Sequence, residues 1–107
     1  MIHGENFQQK WWNMTLPMQL ANIGSEFSRA SKWKEKDTEI FWSTVERFLE
    51  LVNLSLHDPK LTPSQRKELS RIKEVSLDKF SNAGQYGGSE QSLQNYFDQF
   101  ALVSRTP

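Results

Sequence analysis

LANIGSEFSRASKW, residues Leu20 to Trp33, organises the rest of this 107-residue chain. Its apolar side chains Leu20, Ile23, Phe27 and Ala30 recur at steps of three, four and three, which places them on one face of a helix. Gly24 lies beside that face and lets a neighbouring element approach closely. Asn22, Glu26 and Arg29 are polar, yet they sit unusually near the same face. The segment therefore reads as the central helix of a bundle and as the donor of its main polar seam.

Working outward, Thr15 reads as an N-cap and Pro17 fits the first turn, where its missing N–H would be unpaired anyway. The helix so started spans about 16–35, and Lys32, Lys34 and Lys36 gather at its C-terminal end, where positive charge suits the helix dipole. Ahead of it, Gly4 and the polar run Gln8 to Lys10 break up Phe7, Trp11 and Trp12. Residues 1–14 are read as an N-terminal arm, loose or a short helix, laid across the bundle.

In the other direction Asp37 or Thr38 caps a second helix over 38–55, with Phe41, Val45, Phe48, Leu49 and Val52 on one face. Asp58-Pro59 marks a turn. Thr62-Pro63-Ser64-Gln65 opens a third helix over 63–81: Thr62 caps, Pro63 takes the first helical position and Gln65 closes a capping box. Leu69, Ile72, Val75 or Ser76, and Phe80 form its stripe. Ser81 to Gly88 is a glycine-bearing break. Ser89 then caps a fourth helix over 89–104, lined by Leu93, Tyr96, Phe97, Phe100, Ala101 and Val103 or Ser104. No two-residue alternation and no internal repeat appears. The expectation is a single all-α domain, an up-down-up-down four-helix bundle with a short N-terminal arm.

Thirteen basic residues balance thirteen acidic ones, so bulk charge makes no case for nucleic acid or an anionic membrane. The absence of cysteine removes disulfides, thiolate zinc sites and thiol nucleophiles, and fits a reducing cytoplasm. No apolar run nears the roughly 18 residues of a membrane span, and Met1 to Trp12 lacks the apolar core of a signal peptide. A cytoplasmic location without membrane contact follows as the expectation.

The seam continues beyond the first helix. Asn22, Glu26 and Arg29 are joined by Glu46, Arg47 and Glu50 on the second, and by Arg71, Glu74 and Asp78 on the third. Carboxylates on facing helices hold two metals in ferritin-like bundles, but that site also needs Glu-x-x-His on two helices. The two histidines, His3 and His57, do not follow a glutamate at that spacing, so no metal or cofactor is expected. Helical ribonucleases that use an Arg and a His a few residues apart are not matched by Arg47 and His57. His57 beside Asp58 reads as an exposed turn residue. Gly84, Gly87 and Gly88 follow a helix rather than a strand, which does not suit a phosphate loop. The seam reads as ion pairs that fix helix register, with no catalytic residue among them.

Several large side chains fall outside the stripes. Trp12, Trp33, Trp42, Leu51, Leu54 and Leu56 form a candidate interface, with the three leucines crowding the end of the second helix. A contiguous apolar patch of that kind marks a contact surface, here a two-fold homodimer or a protein partner. The competing reading is that the N-terminal arm folds back over it.

Met14-Thr15-Leu16, Leu20 to Glu26 with Arg29-Ala30, Arg47 before Leu49-Glu50-Leu51, Arg71 before Glu74-Val75 and Asp78, then Tyr86, Ser89, Tyr96-Phe97 and Arg105 resemble a group of small uncharacterised prokaryotic proteins of similar length. The resemblance covers nearly the whole chain, departing at Ser81 to Gln85, where the group has a more acidic turn. It implies that the seam positions follow the group's recurring pattern, and it carries over no activity.

Three functional readings stand. The first is a non-catalytic cytoplasmic interaction module. The second is a nuclease or nucleotide-handling enzyme using the Arg/carboxylate seam. The third is a nucleic-acid-binding adaptor using Lys32, Lys34, Lys36, Arg66, Lys67, Arg71 and Lys73, which the neutral net charge does not support.

Overall fold

Short-range hydrogen-bonding chemistry sets where three of the helices begin. Thr15 Oγ1 accepts from the Met18 N–H with Pro17 in the first turn, and Asp37 Oδ1 accepts from the Ile40 N–H. At Thr62 both halves of the capping box form: Gln65 N–H to Thr62 Oγ1, and Thr62 N–H to Gln65 Oε1. The structure, a computed structural model, describes residues 5–82 and 90–105, with side chains over 6–82 and 90–100. These residues form five helices and no strand: α1 (Glu5–Asn13), α2 (Leu16–Trp33), α3 (Thr38–Leu56), α4 (Pro63–Ser81) and α5 (Glu90–Arg105). The expected Ser89 cap and most of the glycine-bearing break lie outside the described residues.

Two departures from the sequence reading have local causes. The expected N-terminal arm takes the helical one of its two readings over Glu5–Asn13, so the described residues form five helices rather than four with an arm. Phe7 and Trp11, one helical turn apart, stack with ring centroids 6.1 Å apart, a spacing that the polar run between them obscures. The second departure is that α2 stops at Trp33 rather than 35. Lys36 and Asp37 both donate to the Trp33 carbonyl, closing a turn ahead of the Asp37 cap. At its far end α4 stops on Asn82, whose φ of 59° is left-handed, a conformation that Asn tolerates better than most side chains.

Helix α2 packs against both α3 and α5, while α4 and α1 each pack on α3. Phe27 is fully buried, and its ring lies 6.2 Å from Phe48 of α3, 5.3 Å from Phe80 of α4 and 5.4 Å from Phe97 of α5. One α2 side chain thus joins three other helices through tilted aromatic contacts, each adding to plain area burial. Gln19, Glu26 and Phe27 of α2 meet Ser55, Arg47 and Phe48 of α3, so the two helices run antiparallel. Lys73 meets Asn53, and Phe80 meets Phe48 and Phe41, so α4 runs antiparallel to α3.

Gly24 is where α5 reaches α2. A Cβ built on it would overlap Phe97 Cβ and lie 3.0 Å from Phe97 Cγ. Gly24→Ala should gain about 1 kcal/mol of helix propensity and lose about 1–3 to overpacking, a net destabilisation in a denaturant melt. A higher midpoint than the parent's would show that α5 is not seated on Gly24.

Candidate functional site

The turn after α3 holds a carboxylate with no exposed surface, that of Asp58. Burial alone would raise its pKa. Hydrogen bonds from the Lys60 side chain, Gln19 and the Lys60 backbone N–H, together with the Lys60 charge, outweigh burial and hold it below the ordinary carboxylate range. Lys60 N–H reaches Oδ1 at 2.9 Å, while Lys60 Nζ and Gln19 Nε2 both reach Oδ2 at 2.8 Å.

Gln19 carries the arrangement onward. Its amide nitrogen also donates to the Trp11 and Met14 carbonyls at 3.1 Å, and its oxygen accepts from Ser55 Oγ at 2.5 Å. Ser55 Oγ in turn accepts from the Trp11 indole N–H at 2.9 Å. The Trp12 indole N–H donates to the Leu54 carbonyl at 2.8 Å, and Lys60 Nζ bonds the Trp12 carbonyl. Arg66 of α4 donates to the carbonyls of Leu56, Asp58 and Leu61. Segments from α1, α2, α3 and α4 therefore meet at one buried polar junction. The sequence reading missed Gln19, Ser55, Asp58 and Lys60 in it. The available signals were Gln19 directly preceding Leu20 on the apolar face, and an Asp followed two residues later by the backbone N–H that it binds.

The expected seam divides into separate pairs. Glu26 is buried and faces Arg29 at 3.2 Å and Arg47 at 3.6 Å, which joins α2 to α3. Asn22 is exposed and donates to the Met18 carbonyl at 2.9 Å. Asp78 is buried beside Lys79 at 3.7 Å. Glu46, Arg71 and Glu74 are exposed and Glu50 is half-buried. The Arg71 charge acts on Tyr96, whose hydroxyl donates to Glu68 at 3.1 Å; burial first, then Glu68, push that phenol well above its ordinary range, and Arg71 opposes them. Of the nine residues read as one seam, Glu26 and Arg47 are thus a pair shown to join two helices, and Asn22, Glu46, Arg71 and Glu74 stand exposed.

The basic candidates are also divided. Lys34 donates to the Lys79 carbonyl at 2.6 Å, Asn82 Oδ1 at 2.7 Å and Glu90 Oε1 at 2.9 Å, tying the end of α2 to the end of α4 and the start of α5. Lys73 donates to Asn53, and Lys32 lies 5.5 Å from the Trp33 ring centroid. His57 is exposed, with Nδ1 2.8 Å from the Asn53 carbonyl.

The candidate interface needs correction as a surface. Leu51 is buried in the core, and Trp12, Trp33, Leu54 and Leu56 are partly buried against it. The apolar end of α3 is where α1 packs, held by the Trp11 and Trp12 bonds. Of the six residues, Trp42 alone is largely exposed, at 49%.

Among the described residues no group of three or more His, Asp or Glu side chains gathers to hold a metal ion, and no helix is long and apolar enough to cross a membrane. No protein-family model, curated protein or solved structure matches the chain.

Asp58→Asn keeps the shape but removes the charge, and should cost about 1–3 kcal/mol near neutral pH. Because the folded carboxyl titrates below its unfolded value, its contribution is fully present above about pH 4 and is lost as pH falls through the lower folded value. Urea melts of both proteins should therefore converge below pH 4. A gap that stays constant to pH 2 would contradict an ionised Asp58 at the junction.

Proposed function

We infer that the chain is a non-catalytic interaction module: four long helices in up-down-up-down order with α1 strapped across α3, acting in the cytoplasm by binding another protein. The antiparallel pairings of α2 with α3 and of α3 with α4 support that order. The observation that carries the functional reading is the use of the buried acid Glu26. It holds two arginines from two helices in place while both guanidinium side chains stay largely in solvent, 57% exposed for Arg29 and 45% for Arg47. Positioned donors on an outer surface suit recognition of a partner, whereas a reaction requires reacting groups converging on a cleft.

Self-association as a two-fold dimer is a second reading, favoured by Trp42, which stands exposed on α3. Chemistry at the seam and nucleic-acid binding have less support. The seam residues do not gather in one place, and Lys34, Arg66 and Lys73 are committed to bonds within the chain.

Site-specific photo-crosslinking tests the reading. A photoreactive residue in place of Ser43, on the α3 stripe of Arg47, should give discrete adducts in cells, and one in place of Lys67 on α4 should give few. Turnover of a nucleotide or an RNA by the purified chain, abolished by Glu26→Gln with helix content intact, would overturn it in favour of an enzyme.

A further inference from the structure

The face that Glu26 organises has a definable shape. Arg29 and Trp33 follow Glu26 at three and seven residues, which puts all three on one stripe of α2. Ile40, Ser43 and Arg47 are spaced by three and four on α3, again one stripe. The Glu26–Arg47 contact turns the two stripes toward each other across the antiparallel pair. From the arginines toward the α2–α3 turn, Trp33 lies about 6 Å further along α2 and Ile40 about 10 Å further along α3. Trp33 is partly buried and Ile40 is 38% exposed. Two guanidiniums therefore border an apolar end. Glu50, one turn beyond Arg47, bounds the face on the other side.

The hydrogen-bond inventory of this face is unbalanced. Arg29 Nη1 meets both Glu26 oxygens, at 3.2 and 3.4 Å, and Arg47 approaches through Nε at 3.6 Å. Each guanidinium carries five N–H donors, so Arg29 Nη2 and both Arg47 Nη atoms are engaged by nothing among the described residues. The open edges of both guanidiniums stand around the one Glu26 oxygen that both approach, and a planar guanidinium fork matches a carboxylate bidentately.

We propose that this α2–α3 face docks an acidic segment of a partner protein, with Asp or Glu carboxylates on Arg29 and Arg47 and a neighbouring apolar side chain against Trp33 and Ile40. The inference rests on the interaction-module reading and gives its partner a chemistry. The apolar end favours a peptide over a phosphodiester backbone, as does the charge balance of the whole chain.

Panning a random peptide display library against the full chain tests this without presupposing the partner. Enriched sequences should carry at least two Asp or Glu residues beside an apolar one. Their affinity, measured by fluorescence anisotropy, should fall about tenfold in Ile40→Ser and in the Arg29→Lys/Arg47→Lys double variant, which keeps Glu26 paired while removing the forks. Circular dichroism on each variant confirms that the helices persist. No enrichment, enrichment of basic or neutral peptides, or acidic peptides that bind the double variant unchanged would overturn the proposal. So would stronger retention of a random single-stranded RNA that the double variant loses. Adducts from Ser43 alongside any of these outcomes would leave the interaction module standing with a different partner class, whereas absence of adducts would remove the module itself.

Discussion

The hydrogen bond from Gln19 to Asp58 fixes the direction of the relay that runs from Gln19 through Ser55 to Trp11. An ionised carboxylate only accepts, so the Gln19 amide must turn its nitrogen toward Asp58. Its oxygen then faces Ser55, whose hydroxyl must donate to it and so is left to accept from the Trp11 indole. Reversing the amide would set oxygen against carboxylate and against two backbone carbonyls. Because the chain of bonds has one consistent direction, it holds α1 in one position on α3 rather than in several. That position places Trp11 and Trp12 over the apolar end of α3, where a bare helix end would otherwise meet water.

At the opposite end of α2 a second polar tie does comparable work by different means. Lys34 is a single cation reaching three oxygens: the Lys79 carbonyl and the Asn82 side-chain oxygen at the end of α4, and the first-turn carboxylate Glu90 of α5. It places a positive charge at the C-terminal end of α4, where the helix dipole favours it, and draws α5 toward α2. Between the two ties lies the aromatic cluster on Phe27, which is non-directional and gains from close packing. Gly24 permits that packing, because a side chain there would hold Phe97 and its helix away. The arrangement of α2 is thus set at its ends by hydrogen-bond direction and along its middle by contact.

What was legible in the sequence is what depends on residues three or four apart. Thr15, Asp37 and the Thr62–Gln65 box were readable because each cap and its target lie within one turn. The stripes through Phe27, Phe48 and Phe80 were readable for the same reason. Asp58 was not, since Asp-Pro reads as a solvent-facing turn and its burial is decided by Gln19, 39 residues away. Leu51 and Leu54 were misjudged in a related way. They looked surplus to one apolar stripe, yet Leu51 is part of the core and Leu54 packs against it, at the end of α3 where Trp12, 42 residues earlier, bonds the Leu54 carbonyl. Glu26, Arg29 and Arg47 were named, but their meeting across two helices required the antiparallel register. The equivalence of Arg71, Glu74 and Asp78 with them was an effect of spacing alone.

The junction and the Lys34 tie share a property that the Glu26 cluster lacks. In both, donors and acceptors from different helices are matched nearly one to one, the condition under which buried polar groups stabilise a unique arrangement. Glu26 is instead shared by two cations. Its pairing with Arg29, three residues on in the same helix, already answers the cost of burying a carboxylate. Arg47 adds a repulsion between guanidiniums that the fold does not require for register, because Phe27–Phe48 and Gln19–Ser55 already set how α2 lies on α3. An arrangement redundant for packing, held half in solvent by a buried anchor, differs in kind from the polar contacts that build the bundle. The open guanidinium edges are therefore available to a group outside the chain, and their planar donor geometry matches an oxyanion.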